Sequence, residues 1–236
     1  MSSFAIIVPC YNEASRLNLE AFINFGNQFS DVHFLFVNDG STDATNEKLK
    51  TIESSTPNTQ IIKLLKNSGK GEAIRQGLVE ALKKDFSFIG YLDADLSTSL
   101  QEFYKLHKFA QQQDADFVLA SRVKKIDTVI ERSFTRHIAG RMIATVIDKR
   151  FNLGVYDTQC GAKIFKPSTI DTIVLQPFYT KWFFDVEILL RIKRLNQKLN
   201  CFEVPLSKWH NVKNSKINLL SFPLVLKELS ILSRKY

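Results

Sequence analysis

Cysteine is scarce in this sequence, and what there is stands apart: Cys10, Cys160 and Cys201 in 236 residues. An odd, widely spaced set has neither the pairing of a disulfide framework nor the spacing of a zinc site, so reduced thiols in the cytosol are expected. Long apolar runs are missing too. No stretch reaches the roughly 18 apolar residues that a spanning helix needs. The opening Met1-Ser2-Ser3-Phe4 lacks a charged segment and a cleavage site, so no signal peptide is expected. There is no internal repeat and no low-complexity linker, which makes residues 1–236 one expected domain. Acidic residues are the minority charge: 24 Asp+Glu against 32 Lys+Arg leave +8. That excess points to an anionic partner, whether nucleotide, nucleic acid or membrane surface.

What is present reads as alternating strands and helices. Phe4–Val8 is a continuous apolar run ending at Pro9, the pattern of a central parallel strand. A helix follows over Leu17–Phe29, then a strand at Val32–Val37. Asn38-Asp39-Gly40-Ser41-Thr42-Asp43 supplies a turn and a helix cap, with a helix to Glu53. Gln60–Leu65 is the third strand; Gly69-Lys70-Gly71 opens a helix through Leu82, and Phe86–Leu92 is the fourth strand. The alternation predicts a doubly wound α/β sheet of nucleotide-binding topology. Beyond it the spacing predicts a helix over Leu100–Gln113, a strand at Asp116–Ala120 and a basic amphipathic helix over Val129–Lys149. A short strand by Phe165, a helix over Lys181–Leu195, a strand at Phe202–Val204 and an apolar tail at Ile217–Leu232 complete it.

The pair Asp93 and Asp95 stands out, because a strand places residues i and i+2 on the same side. Two carboxylates held together repel unless a cation lies between them, and a hard divalent ion, Mg²⁺ or Mn²⁺, is the natural partner. Glu13, Asp39 and Asp43 follow the earlier strands, so all of these acids are expected on one edge, as a cradle for a nucleotide and its metal. Gly69-Lys70-Gly71 could hold phosphate, but it is no Walker A loop: Leu64 and Gly71 stand where that motif needs Gly and Ser or Thr.

The blocks Val8-Pro9-Cys10-Tyr11-Asn12-Glu13, Val37 to Asp43, Asn67-x-Gly69-Lys70-Gly71, Asp93-Ala94-Asp95 and Ser121-Arg122 carry a resemblance. So do Asp157 to Lys163, Phe184-Asp185-Val186-Glu187, Val204-Pro205 and Trp209 with Ser215-Lys216. In this order they resemble family 2 glycosyltransferases of the GT-A fold, within the branch of dolichyl-phosphate glucosyltransferases and other polyprenyl-phosphate glycosyltransferases. Two positions depart from that branch's pattern: Asn214 stands in place of Gly and Ala162 in place of Phe. The membrane anchor and membrane helices of relatives are not expected here.

The resemblance implies a Rossmann-like three-layer sandwich with a mostly parallel, mixed sheet. Residues 1–120 would bind the nucleotide sugar and residues 121–236 the acceptor. It implies inverting transfer of a hexose, from UDP in preference to GDP, to a polyprenyl phosphate at the cytoplasmic membrane face. Pro9, Tyr11 and Glu13 would shape the base and ribose pocket, with Asn12, Lys70 and Ala94 in the same donor site. Asp39 would read the base edge. Asp93 would contact the nucleotide and share the metal with Asp95. Arg122 and Lys216 would bring positive charge to a leaving diphosphate or an anionic acceptor.

The acceptor decides whether a base is needed. A hydroxyl must lose a proton, and Asp185 and Asp157 are the available carboxylates; a phosphate monoester is already anionic. In Val129–Lys149, Ile130, Phe134, Ile138 and Met142 step along one face and Arg132 and Arg136 along another, as in a helix lying on anionic lipid. This favours a lipid phosphate over a saccharide or protein hydroxyl, and a protein associated peripherally with the membrane. Nucleic-acid binding is the rival explanation of the charge. No binding motif supports it, and the aromatics fall in strands and core-like faces. His137 and His210 are expected to be ordinary surface or loop histidines.

Overall fold

The computed structural model describes residues 3–131, 134–195, 198–210 and 222–236. Arg132, Asn214 and Lys216 lie outside the described residues, as do the side chains of Phe134, Arg136, His137 and Phe222. The apolar run at the N-terminus forms β1, Phe4–Cys10, fully buried over Phe4–Val8. It lies between β2, Val32–Asp39, and β4, Phe88–Leu92, and pairs in parallel with both. Pro9 does not end the strand. The ladder to β4 stops at Ile7↔Tyr91, so the proline falls where β1 has a partner on one side only.

With β3, Thr59–Leu64, β5, Phe117–Ser121, β7, Ala162–Phe165, and β8, Cys201–Pro205, these strands make one seven-stranded sheet in the order β3-β2-β1-β4-β7-β5-β8. β7 runs antiparallel to β4 and β5, and the other pairings are parallel. This is the mostly parallel, mixed sheet that the alternation and the resemblance lead one to expect. The reversed strand inserts between elements that are consecutive in sequence, and four residues are too short a pattern to announce it.

Helices cover both faces. α1, Leu19–Gln28, α2, Thr45–Ser55, and α4, Leu100–Gln112, pack on one another and on one side of the sheet. Asn18 caps α1 through the amide of Ala21 at 3.1 Å, and Ser99 caps α4 through that of Glu102 at 3.2 Å. The core beneath them is aromatic: Phe22 meets Phe34 and Phe36 edge-on, and Phe4 lies against Phe103. α3, Lys70–Ala81, packs on β1 and β2, with Phe184 of α7, Phe184–Arg194, pressed against its Gly71.

The helix expected from Val129 begins later. Val129–Ile130 is strand β6, paired in parallel with β9, Lys208–Trp209; α5 runs Phe134–Phe151. Both residues are β-branched, and the Val129 amide donates to the Ser207 carbonyl at 2.8 Å, so pairing overrides the helical spacing. Ala144, Ile147 and Phe151 of α5 are buried, while Ile138, Met142 and Val146 face outward, Met142 at 66% exposure. A short helix α6, Pro167–Ile170, and the last helix α8, Phe222–Lys235, complete the described elements. No helix among the described residues is long and apolar enough to cross a membrane.

His107 on α4 is fully buried and stacks on Phe4, with ring centroids 4.1 Å apart. Burial, with Lys108 nearby, pushes its pKa down to about 4. Because the folded value lies below the unfolded one, neutral His107 supports the fold fully above about pH 6.5, and that support is lost as the pH falls toward 4. The shift corresponds to about 3 kcal/mol. His107→Phe should flatten this acid dependence: urea midpoints at pH 7 and pH 4.5 should differ less in the variant than in the parent.

Candidate active site

The carboxyl ends of β1, β2 and β4 open on one edge of the sheet, and the loops there are cross-linked by side chains. Asn12, in the left-handed region at φ 50°, accepts from the Thr42 amide at 2.9 Å, and its own amide donates to Ser41 Oγ. The Glu13 amide donates to Thr45 Oγ1 at 2.8 Å, and its carboxylate pairs with Arg16 at 2.5 Å. Asp43 accepts from the amides of Ala14 and Thr45, which makes it a cap and a tie between loops. Asn12, Glu13 and Asp43 thus hold the β1 and β2 loops together, and Tyr11, which precedes Asn12, is half-buried.

Asp39, at the end of β2, accepts from the amides of Ser68 at 2.7 Å and Gly69 at 2.9 Å. Burial raises its pKa against the lowering by these two bonds. Gly69 has φ 95°, a conformation closed to most side chains, and so lets the chain turn into α3 directly after meeting Asp39. Lys70 then starts the helix and reaches Asp93, Nζ to Oδ1 at 2.5 Å. The side chain stays 41% exposed, so only a partial loss of water acts against its ammonium; Asp93, Asp185 and Asp95 outweigh it and hold the pKa above the ordinary lysine value.

Asp93 also lies directly over Gly161: a Cβ there would come within 2.1 Å of Asp93 Oδ2, so only glycine fits. Ala94 is buried between the two acids. Asp95 accepts from the Ser97 amide at 3.0 Å. The described residues hold no cluster of three or more His, Cys, Asp or Glu able to take a metal. The two oxygen donors of Asp93 and Asp95 nonetheless suit Mg²⁺ or Mn²⁺, which keep water and diphosphate oxygens as the rest of their shell.

The two acids considered as bases are both engaged. Asp157 takes the Arg122 guanidinium in a fork, Nε and Nη2 each at 2.7 Å, and also the Arg122 amide at 3.0 Å. The Asp157 amide is in turn held by Glu203 at 2.8 Å. Asp185, buried at the start of α7, bonds through one oxygen to both the Lys163 ammonium and the Tyr91 hydroxyl. Burial raises the Tyr91 pKa, and Asp185 raises it further, so the hydroxyl stays protonated and donates. Lys163, fully buried on β7, also donates to the Cys160 carbonyl at 2.8 Å. The Cys160 thiol is pushed up to about 12 by burial, and is inert.

Lys163 closes the Asp157–Lys163 block, but sequence reasoning gave it no role, and it missed both the Lys163–Asp185 pair and the Tyr91–Asp185 bond. A lysine inside the apolar run Ala162–Phe165 is the signal that could have found the first. It also missed a 270 Å³ cavity beside Asp39, between Ser68, Gly69 and Glu72 on one side and Phe178, Thr180 and Lys181 on the other. His210 behaves as expected, exposed and beside Glu131 at 3.1 Å.

Against known proteins, the model for glycosyl transferase family 2 matches residues 5–173. The chain belongs to that family. It is 32% identical to the dolichyl-phosphate beta-glucosyltransferase of Dictyostelium discoideum over 92% of this chain and 69% of the relative. Against the Saccharomyces cerevisiae enzyme of the same name identity is 30%, over 91% and 69%. Glucosyl-3-phosphoglycerate synthase from Mycobacterium tuberculosis, solved with Mn²⁺ and UDP-glucose, matches 99% of this chain and 79% of that one. The TM-score is 0.72 at 15% identity, a likeness of fold alone. The fold is GT-A and the protein is a glycosyltransferase.

The buried pair gives a direct test. Lys163→Met leaves Asp185 charged and without its cation, which should destabilise the protein by about 3–5 kcal/mol. The double variant Lys163→Met, Asp185→Asn should recover much of that loss, read from denaturant midpoints.

Proposed function

We propose that this enzyme transfers a hexose from a UDP-sugar to a polyprenyl phosphate, with residues 1–120 serving the donor and 121–236 the acceptor. The observation that carries this reading is that Asp157 and Asp185 are both committed, to Arg122 and to Lys163 with Tyr91. A hydroxyl acceptor needs a base, whereas a phosphate monoester attacks as the anion it already is. The name of the curated relatives, dolichyl-phosphate beta-glucosyltransferase, fits such an acceptor.

In this reading Pro9, Tyr11, Asn12 and Glu13 shape the nucleoside pocket, Asp39 meets the base edge, and Ala94 spaces the acids. Asp95, with Asp93, holds Mg²⁺ or Mn²⁺, whose charge would offset that developing on the departing diphosphate. Lys70 and Arg122 add fixed positive charge at the same edge, and Lys216 is proposed to join them. Arg122 and Asp157 act as a pair facing the acceptor.

The acceptor's lipid implies a surface to meet it. α5 presents Ile138, Met142 and Val146 outward, beside Arg141, whose guanidinium lies 3.7 Å from the Tyr156 ring centroid. An apolar ridge edged by basic residues suits the interface of an anionic bilayer, and we place the protein peripherally on the cytoplasmic membrane face.

Purified protein with UDP-glucose and Mn²⁺ should glucosylate a polyprenyl phosphate and float with anionic vesicles. Efficient transfer to a water-soluble saccharide, with no flotation, would overturn the lipid-phosphate reading. Within the working reaction, Asp95→Ala should cut metal-dependent UDP binding by about 100-fold and leave the thermal midpoint within a few degrees. Met142→Glu with Val146→Glu should abolish flotation while leaving the Kd for UDP unchanged.

A further inference from the structure

Glu228 sits within α8 at 4% exposure. A carboxylate so far from water needs donors or a cation, and among the described residues no lysine or arginine pairs with it. Three consecutive backbone amides meet it instead. Lys181 N donates to Oε1 at 3.1 Å, and Trp182 N and Phe183 N donate to Oε2 at 3.0 and 2.9 Å. The two amides before these, of Tyr179 and Thr180, are held by Glu187 of α7 at 2.9 and 3.2 Å. Residues 179–183 therefore hang on two buried carboxylates, one of them from the far end of the chain.

This segment walls the cavity beside Asp39. Lys181 is the side chain nearest Gly69, its Cδ lying 3.8 Å from where a Cβ would stand, and its charge acts on Asp39. The Phe184 ring follows, against Gly71 and 5.8 Å from Lys70 Nζ. We infer that Glu228 is a positioning residue of the donor site: its grip on the amides of Lys181, Trp182 and Phe183 fixes the Lys181 ammonium and the Phe184 ring against the Ser68–Gly71 turn, and so sets how tightly the nucleoside diphosphate is held. The inference rests on reading this edge as the donor site.

Glu228→Gln tests it with little change of volume. Both carboxylate oxygens are in use, so either orientation of the new amide turns an NH₂ group toward a backbone donor. The Kd for UDP with Mn²⁺ and the donor KM should rise roughly tenfold while kcat falls less than about threefold. Amides 181–183 should exchange hydrogen faster, with the thermal midpoint moved by only a few degrees. Lys181→Met should raise the same Kd without loosening those amides, and the double variant should lose clearly less than the two single losses multiplied, since Glu228 acts in part through the same ammonium. An unchanged Kd and KM in Glu228→Gln, or a fall in midpoint and kcat at constant KM, would reduce Glu228 to a stabilising residue and sink the inference. Additive effects would exclude the route through Lys181. A parent that binds no UDP would overturn the donor reading and this inference together.

Discussion

Crowding of like charge at one sheet edge is the constraint on which the rest of the structure depends. β4 and the start of α7 bring Asp93, Asp95 and Asp185 together, and Asp157 stands close by on the loop before β7. Unmatched, these groups would destabilise the fold or give up their charge. The matching cations come from three further elements: Lys70 from α3, Arg122 from the end of β5 and Lys163 from β7. Each ion pair therefore does two things. It neutralises a carboxylate, and it fixes the distance between elements remote in sequence. Asp95 differs, for among the described residues its bond is to the Ser97 amide and not to a cation.

That arrangement explains which parts of the molecule were legible in the sequence. The strands from Phe4 to Leu92 read correctly because buried parallel strands are unbroken apolar runs, and turn residues punctuate them sharply. The Asp93–Asp95 pair was read as alternate residues of a strand, but β4 ends at Leu92 and both acids lie in the turn that follows, where the Leu96 amide donates to the Asp93 carbonyl at 3.2 Å. The order of β7 in the sheet, the pairing of β6 with β9 and the partners of Asp185 depend on contacts far apart in sequence. Nothing local records them. Asp185 was one of the two carboxylates available as a base for a hydroxyl acceptor; its cation sits 22 residues earlier, on an antiparallel strand. Glu228 falls within the apolar tail Ile217–Leu232, and nothing local marks its role, since the amides it serves lie 45–47 residues away.

α5 shows the opposite case, in which the sequence pattern and the burial pattern part. The spacing reads as a basic amphipathic helix with Ile138 and Met142 on its single apolar face, but α5 carries apolar residues on both sides. One side, with Ala144, Ile147 and Phe151, does meet the core, and Ile147 and Phe151 join Phe183, Val186 and Leu190 of the α7 region and Val225 and Leu232 of α8. The other leaves Ile138, Met142 and Val146 in water. Exposed Met and Ile in a row are costly to solubility, and a ridge of this kind is characteristic of surfaces that meet a partner. The same helix thus joins the second core, which supports α7 and its Asp185, to the face proposed for the bilayer.

The charge balance of the site bears finally on the metal and on the acceptor. With the acids ionised, Asp93, Asp95, Asp157 and Asp185 against Lys70, Arg122 and Lys163 leave this group of side chains one negative charge in excess. A nucleoside diphosphate and a phosphate acceptor are both anions, and two anions cannot be brought together at such an edge by these groups alone. A divalent ion, if Asp95 holds one as proposed, would reverse the sign, because it would add two positive charges against that single excess negative one. The exposed Lys181 adds another on the cavity wall, where the charge of Asp39 opposes it. For a neutral sugar hydroxyl the balance would matter less, and a free carboxylate would matter more. Asp157 and Asp185, the two carboxylates a hydroxyl acceptor could have used as bases, are committed to cations, an arrangement that suits chemistry between two anions.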